Sequence, residues 1–574
     1  MMTPIFYRYL LVALGVSLSG WNCRTAPEID PNPVKSAVSD KGMVVTAHPI
    51  ASEVGLEILR QGGNAADAAI AVQFALAVVY PRAGNLGGGG FLMYRDKSGE
   101  VISLDYREQA PIAASRDMYL DSAGQVIPNR STSGIFAAGI PGTVAGLVET
   151  HKRFGSIQPW SRLVEPAIRL AEEGFRLTAN EAERLNAYQS QFREFNAPGM
   201  PFLADSLWKA GDLLVQKELA ATLRHIANEG KDGFYAGENA RALVTLSVQK
   251  NGLFTEKDLQ SYEAKWRPPV TIHWRDLEIH SMGPPSSGGI ILGEILGMIE
   301  NKLVDSLGNL SSSNIHLLIE AERRAYADRA KYLGDADFYP VMTDSLLDRQ
   351  YLAAKFSDFD PKKASESKSI GTEKIEFARD HFETTHLSII DQWGNAAAVT
   401  TTLNDNYGCK VWVPGGGYFL NNEMDDFSIK PGVPNIFGLI GGEANAIAPG
   451  KRMLSSMSPT IVEKNNEVWL VLGSPGGSTI ITTVAQVLVN IAAYDMDPEA
   501  AVRGPRFHHQ WLPEEILFEK NGFSPTLIQQ LESMGHSCKW IDNLGDVELI
   551  QRDDQGLLHG VADARGVDDH AAGW

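Results

Sequence analysis

Cysteine is nearly absent from this sequence: three residues in 574, at positions 23, 409 and 538. So few thiols exclude a disulfide-stapled scaffold and leave stability to a buried core. Positive charge is also in deficit, with 51 Lys and Arg against 70 Asp and Glu and a formal net charge of -19. Nucleic-acid binding depends on a basic footprint that displaces counterions, so a polyanion is excluded as the main partner. Metal-binding patterns are missing. There is no His-Glu-x-x-His and no cysteine cluster, and the adjacent His508 and His509 would point to opposite faces of an extended strand. No metal and no cofactor is expected. Apolar runs long enough to cross a membrane are missing too: residues 68–80 are interrupted by Gln73, and residues 480–493 by Gln486 and Asn490.

What is present reads as a globular chain, 44% hydrophobic and 21% charged, large enough to bury a sizeable core. At the N-terminus Arg8 precedes a short apolar run from Tyr9 to Leu18, the layout of a secretory signal over residues 1–24. Export is expected, either to the periplasm or to a membrane surface through a lipidated Cys23, although Trp21 and Asn22 are bulkier than such processing sites favour.

Along the chain, residues 42–49 read as a short strand closing on a Pro turn, and apolar spacing from Ala51 predicts a helix that stops at Gly62-Gly63. Asn64 then caps an Ala-rich helix to about Val79, apolar nearly all round and so buried. The glycine-dense stretch 84–90 lacks the Lys of a phosphate loop and the spacing of a dinucleotide fingerprint, which points to a close backbone crossing instead. A strand over residues 102–108 delivers Arg107 to its end. Helical patterns dominate residues 136–335, and the charged stretch 357–381 reads as a mobile connector. The Gly- and Pro-rich residues 431–448 have the composition of a lid. Residues 473–478 lie between a strand and an apolar helix, where backbone N–H groups would face an anion.

The chain is organised around Glu383-Thr384-Thr385-His386-Leu387-Ser388-Ile389-Ile390. Apolar Leu387 and Ile389 alternate with polar His386 and Ser388, the period of a half-buried strand, and a turn at residues 391–395 returns it as residues 396–404. Thr384 stands at the leading end of this hairpin. If the bond between Glu383 and Thr384 were cut, Thr384 would carry a hydroxyl and an α-amino group, whose ordinary pKa of about 8 suits a general base. Ser474 is a second candidate nucleophile, in a strand-turn-helix context but with Leu472 where a serine-hydrolase elbow has Gly. A non-catalytic binding protein is the alternative outside catalysis.

From about Gly42 to Trp574 the sequence resembles the γ-glutamyltransferases of the N-terminal-nucleophile hydrolase superfamily. The resemblance is carried by Thr384-Thr385-His386-x-Ser388, the run Asn421 to Phe427, Pro431-Gly432-Val433-Pro434-Asn435, Leu454 to Thr460 and Gly473 to Ser478. Arg107-Glu108-x-Ala110-Pro111 and Arg506 to Gln510 add to it. It implies an α+β fold, a four-layer αββα sandwich, made as a precursor that cuts itself into a large subunit, 25–383, and a small subunit, 384–574. It implies cleavage of glutathione and other γ-glutamyl compounds through an acyl-enzyme on Thr384, with transfer to water or to amino acid or peptide acceptors. By motif, Thr402 would assist the nucleophile, and the N–H groups of Gly476 and Gly477 would form the oxyanion hole. Arg107, Ser455 and Ser456 would hold the donor's α-carboxylate, and Asn404, Glu423 and Asp426 its α-ammonium. Phe437 departs from the Tyr that some bacterial members carry in the lid. Related acylases for glutaryl cephalosporins share much of the pattern but need no ammonium acceptor, so Asp426 favours glutamyl.

Overall fold

The computed structural model describes residues 34–370 and 384–574; the expected signal 1–24 with Cys23, and Glu383, lie outside the described residues. Two seven-stranded sheets lie at its centre. Edge to edge, the first runs Ser36–Ser39, Leu558–Ala562, Glu548–Arg552, Glu467–Gly473, Thr460–Lys464, Leu277–Ser281 and Val270–Trp274. The second runs His570–Gly573, Met43–Thr46, Thr385–Ile390, Ala396–Thr402, Gly89–Arg95, Val101–Tyr106 and Lys265–Arg267. Neighbouring strands are antiparallel throughout both sheets.

Side-chain alternation along the strands builds the layers. In the second sheet Val44, Ala397 and Val399 pack outward against a helical layer, whereas Met43, Val45, Ala396 and Ala398 face the other sheet. In the first sheet Leu470 and Leu472 face helices and Val471 faces the inter-sheet layer. Helices Pro49–Arg60, Ala65–Val79 and Thr143–Phe154 cover the second sheet, and Gly288–Ile299 and Ile480–Ala492 the first. The result is the αββα sandwich expected of the resemblance. Helix Ala65–Val79 begins at a capping box, with Asn64 accepting from Asp67 N–H and Asp67 accepting in return. Every one of its residues is buried, as its all-round apolar sequence predicts.

The hairpin forms in the expected register, Thr385 opposite Thr401 and Ile390 opposite Ala396, closed by Asp391 Oδ1 accepting from Trp393 and Asn395 N–H. One expectation is corrected: this strand is buried on both faces, not half-buried. The polar face lies between the sheets. There His386 meets Thr400 Oγ1 at 2.8 Å and Ser388 Oγ at 3.1 Å, and Ser388 donates to the Glu548 carbonyl. Mutual hydrogen bonding makes that burial affordable without solvent.

The glycine stretch is a close crossing. A Cβ on Gly87 would lie 2.1 Å from the Phe419 carbonyl oxygen, and one on Gly88 2.0 Å from that of Thr402. Gly88→Ala is therefore expected to destabilise the fold by about 1–3 kcal/mol or more, read as a lowered thermal midpoint. The mobile-connector reading also needs correction. Residues 357–370 are anchored, Ser365 N–H to Glu320, Ser367 N–H to Glu514 and Ala364 N–H to the Met534 carbonyl; residues 371–383 lie outside the described part. Cys409 and Cys538 do not pair. Among the described residues no helix is long and apolar enough to cross a membrane.

Candidate active site

The ends of several strands converge on one cavity. It is lined by Arg107, Thr384, Thr402, Asn404, Asp426, Ser455, Ser456 and Gly477, with Phe437, Leu439, Met457 and Ile480 as its apolar wall. Glu423 joins through Arg107 and Gly476 through its neighbour Gly477, so the described site residues expected from sequence all meet here, across more than 350 positions of chain. Thr384 is 4% exposed at the head of its strand. Thr402 closes the neighbouring strand, and its Oγ1 accepts from Asn404 N–H at 2.7 Å, which leaves the Thr402 proton to be given elsewhere. Asn404 sits in the left-handed region at φ 78° and donates from Nδ2 to the Asn422 carbonyl.

Arg107 is fully buried at the end of strand Val101–Tyr106. Its guanidinium reaches Glu423 at 2.6 Å and Asp426 at 2.5 Å, with Glu108 at 3.6 Å. The arginine expected to hold a carboxylate and the two acidic residues expected to hold an ammonium thus satisfy each other. Burial pushes Glu423 and Asp426 above the usual carboxylate range and Arg107 pulls them back. Burial likewise pushes Glu108 up to about 7, again against Arg107. A raised native pKa means that the folded state holds a proton which the unfolded state has released, so this contribution is lost as pH rises. Relative to Glu108→Gln, the wild-type protein is expected to lose thermal stability between about pH 5 and pH 8; parallel melting curves against pH would show that Glu108 does not titrate there.

Gly476 and Gly477 have φ values of 133° and 52°, which favour glycine, and the turn Gly477–Thr479 runs straight into helix Ile480–Ala492. Their N–H groups belong to the start of a helix, where partial positive charge collects. The Phe437 ring covers Gly477: a Cβ there would lie 2.6 Å from it. The loop carrying Phe437 is held down by Asn435 Nδ2 donating to Asp426 Oδ1 at 2.9 Å and by Ile436 N–H donating to Asp425 at 2.8 Å.

Ser474 does not line the cavity. It is fully buried, donates to the Pro475 carbonyl and accepts from Asp546 N–H, which removes it as a nucleophile. His508 bonds Thr482 and Gln510 in the core, in keeping with a structural role. Among the described residues two groups have metal-ligand spacing, His316-Glu320-His536 and Glu278-His280-Glu463. Both lie off this cavity, and arginines already occupy Glu320 and Glu463. Sequence reading missed Arg329. It lies on helix Ser312–Tyr332, whose interleaved charges resemble a solvated face yet are mostly buried, and it donates to Ser456 Oγ at 3.1 Å.

With this geometry in place, the comparisons are unambiguous. A family model described as Gamma-glutamyltranspeptidase matches residues 51–573. An Escherichia coli (strain K12) protein named glutathione hydrolase proenzyme is 42% identical over an alignment of 586 positions covering 100% of both chains. Among solved structures, cephalosporin acylase from Bacillus halodurans superposes with a TM-score of 0.82 at 26% identity, over 96% of this chain and 99% of that one. Helicobacter pylori γ-glutamyltranspeptidase gives 0.55 at 44% identity, over 56% of this chain and 93% of that one. Sequence, fold and comparisons agree that the chain belongs to the γ-glutamyltranspeptidase family.

Proposed function

We propose that this protein is a self-processing γ-glutamyltransferase and glutathione hydrolase with Thr384 as its N-terminal nucleophile. The observation that carries the reading is the convergence on one cavity of Thr384, a glycine turn, a buried guanidinium and buried carboxyl groups. In maturation, the Thr384 hydroxyl attacks the Glu383 carbonyl carbon and the peptide C–N bond breaks. Water then hydrolyses the resulting ester, leaving residues 25–383 and 384–574 as two subunits. Because the second sheet interleaves Met43–Thr46 and Gly89–Arg95 with Thr385–Ile390 and Ala396–Thr402, the two chains would stay together as a heterodimer.

In turnover, the α-amino group of Thr384 takes the hydroxyl proton as Oγ attacks the γ-carbonyl carbon of the donor. The Gly476 and Gly477 N–H groups stabilise the oxyanion, and the leaving amine departs with that proton. Water, or the amino group of an amino acid or peptide, then resolves the γ-glutamyl ester. The donor's α-end is a zwitterion. Its carboxylate takes Arg107, with Ser455 and Ser456, and its ammonium takes the place of Arg107 beside Glu423 and Asp426, with Asn404. The internal ion pairs of Arg107 with Glu423 and Asp426 are exchanged for intermolecular ones to the two ends of the zwitterion, so no buried charge loses its partner. Export, to the periplasm or to a membrane surface through Cys23, completes the proposal.

The resemblance to a cephalosporin acylase favours an acylase as the second reading. Comparing γ-glutamyl and glutaryl anilides separates the two: the glutamyl donor is expected to be preferred, and preference for the glutaryl donor would install the acylase. Gly477→Ala is expected to lower kcat by about 100- to 1000-fold, because both its φ of 52° and the Phe437 ring oppose a side chain there. Unchanged kcat would take Gly477 out of the oxyanion hole.

A further inference from the structure

Arg329 is 5% exposed on helix Ser312–Tyr332, and among the described residues it forms no ion pair. Its Nε donates to Ser287 Oγ at 3.0 Å and its Nη2 to Ser456 Oγ at 3.1 Å. Ser287 in turn gives both its N–H, at 2.9 Å, and its hydroxyl proton, at 2.7 Å, to the Ser455 carbonyl. One guanidinium thus secures the Ser455-Ser456 turn without itself lining the cavity that both serines line; it lines an adjoining cavity that shares Asp426 and Leu439.

The hydrogen-bond inventory gives this a chemical consequence. A guanidinium is donor only, so the bond to Ser456 uses an oxygen lone pair and leaves the hydroxyl proton unspent. Ser455 is in the same condition, since its Oγ accepts from Met457 N–H at 3.0 Å. Two hydroxyls on one turn therefore each have a proton to give, which matches an acceptor-only group such as a carboxylate and mismatches an ammonium. Charge points the same way. Arg107 is engaged by Glu423 and Asp426, whereas Arg329 brings a positive charge that makes no ion pair among the described residues. Burial pulls that guanidinium below the ordinary arginine value, with Tyr326 and Asp426 acting to raise it, and an arginine stays protonated nonetheless.

We propose that Arg329 is a positioning residue for recognition of the donor's α-carboxylate, fixing Ser456 as a hydrogen-bond donor toward it and supplying a positive charge at that serine. This rests on the γ-glutamyl reading of the same cavity and extends it to a residue that does not touch the substrate.

The test pairs two donors with two variants. A γ-glutamyl anilide carries the α-carboxylate. A 4-aminobutyryl anilide lacks only that group, and where its turnover is slow its competitive inhibition constant serves instead. Arg329→Gln is expected to raise KM for the γ-glutamyl anilide about tenfold or more while kcat changes only a few-fold, and to leave the 4-aminobutyryl compound within about twofold. Arg329→Lys, which keeps the charge, is expected to recover part of the loss. Appearance of both mature chains in each variant shows that folding and self-cleavage are intact. Equal losses for both compounds would reduce Arg329 to a structural prop and overturn the proposal, as would unchanged KM. A wild-type protein that does not turn over γ-glutamyl anilide at all would remove the parent reading, and this one with it.

Discussion

Thr384→Ala is expected to leave the purified protein as one uncut chain and to abolish turnover of γ-glutamyl amides, a loss of about 10,000-fold or more. Both effects have one origin. The hydroxyl that opens the bond after Glu383 is the one that later takes the acyl group, and the α-amino base exists only once that bond is open. Intact mass under denaturing conditions reads the first effect, and release of the anilide chromophore reads the second. Thr384→Ser separates chemistry from shape: it keeps the hydroxyl, so it is expected to cut itself and to retain measurable activity. Ser474→Ala is expected to be cut and active, since Ser474 is buried with its oxygen committed to Pro475 and Asp546. A wild-type chain that stayed uncut and yet hydrolysed γ-glutamyl anilide would end the N-terminal-nucleophile mechanism.

Arg107→Ala is expected to damage binding and stability together. A side chain with 1% exposure leaves no room for water to replace it, and its removal strands Glu423 and Asp426 in a buried site. Breaking one partner of such a network costs about 3–5 kcal/mol, partly relieved here because both carboxyl groups already lean toward protonation through burial. For γ-glutamyl donors a fall in kcat/KM of about 1000-fold is expected, from loss of a bidentate carboxylate contact in a dry site. Adding Glu423→Gln to Arg107→Ala tells the two effects apart. The double variant is expected to regain thermal stability and to stay defective toward donors. If Arg107→Ala folds and its kinetics match wild type, the carboxylate is held elsewhere. Arg107→Lys is expected to rescue little, because a point charge does not reproduce a planar fork shared between two partners.

Much of the fold was legible before any coordinates. The hairpin at Thr384 announces itself by alternation and a polar turn, helix Ala65–Val79 by its Asn64 cap and apolar circumference, and the glycine stretch by the lack of any phosphate-loop lysine. These signals are local, and local hydrogen bonding and sterics produce them. The failures share a cause as well. Alternation at His386 and Ser388 says that the two faces of the strand differ, and an inter-sheet network satisfies polar groups as well as water does. The charged stretch after Ser357 looks solvated until Glu320 and Glu514 are seen to accept the N–H groups of Ser365 and Ser367 within it. Arg329 resembles any arginine in a charged helix.

The sequence by itself determined which residue types are available: a threonine at a strand head, a glycine pair before an apolar helix, an arginine after a strand, and carboxyls and serines in separate loops. It determined the strand and helix periods too, because these depend on neighbours two to four positions away. Only the tertiary structure decided who faces whom. Arg107 pairs with Glu423 and Asp426 more than 300 positions on, Phe437 lies on Gly477, and Arg329 donates to Ser456. Those choices are made by packing two sheets and two helical layers around one interior, where an uncompensated charge or polar atom is costly enough to select a single arrangement.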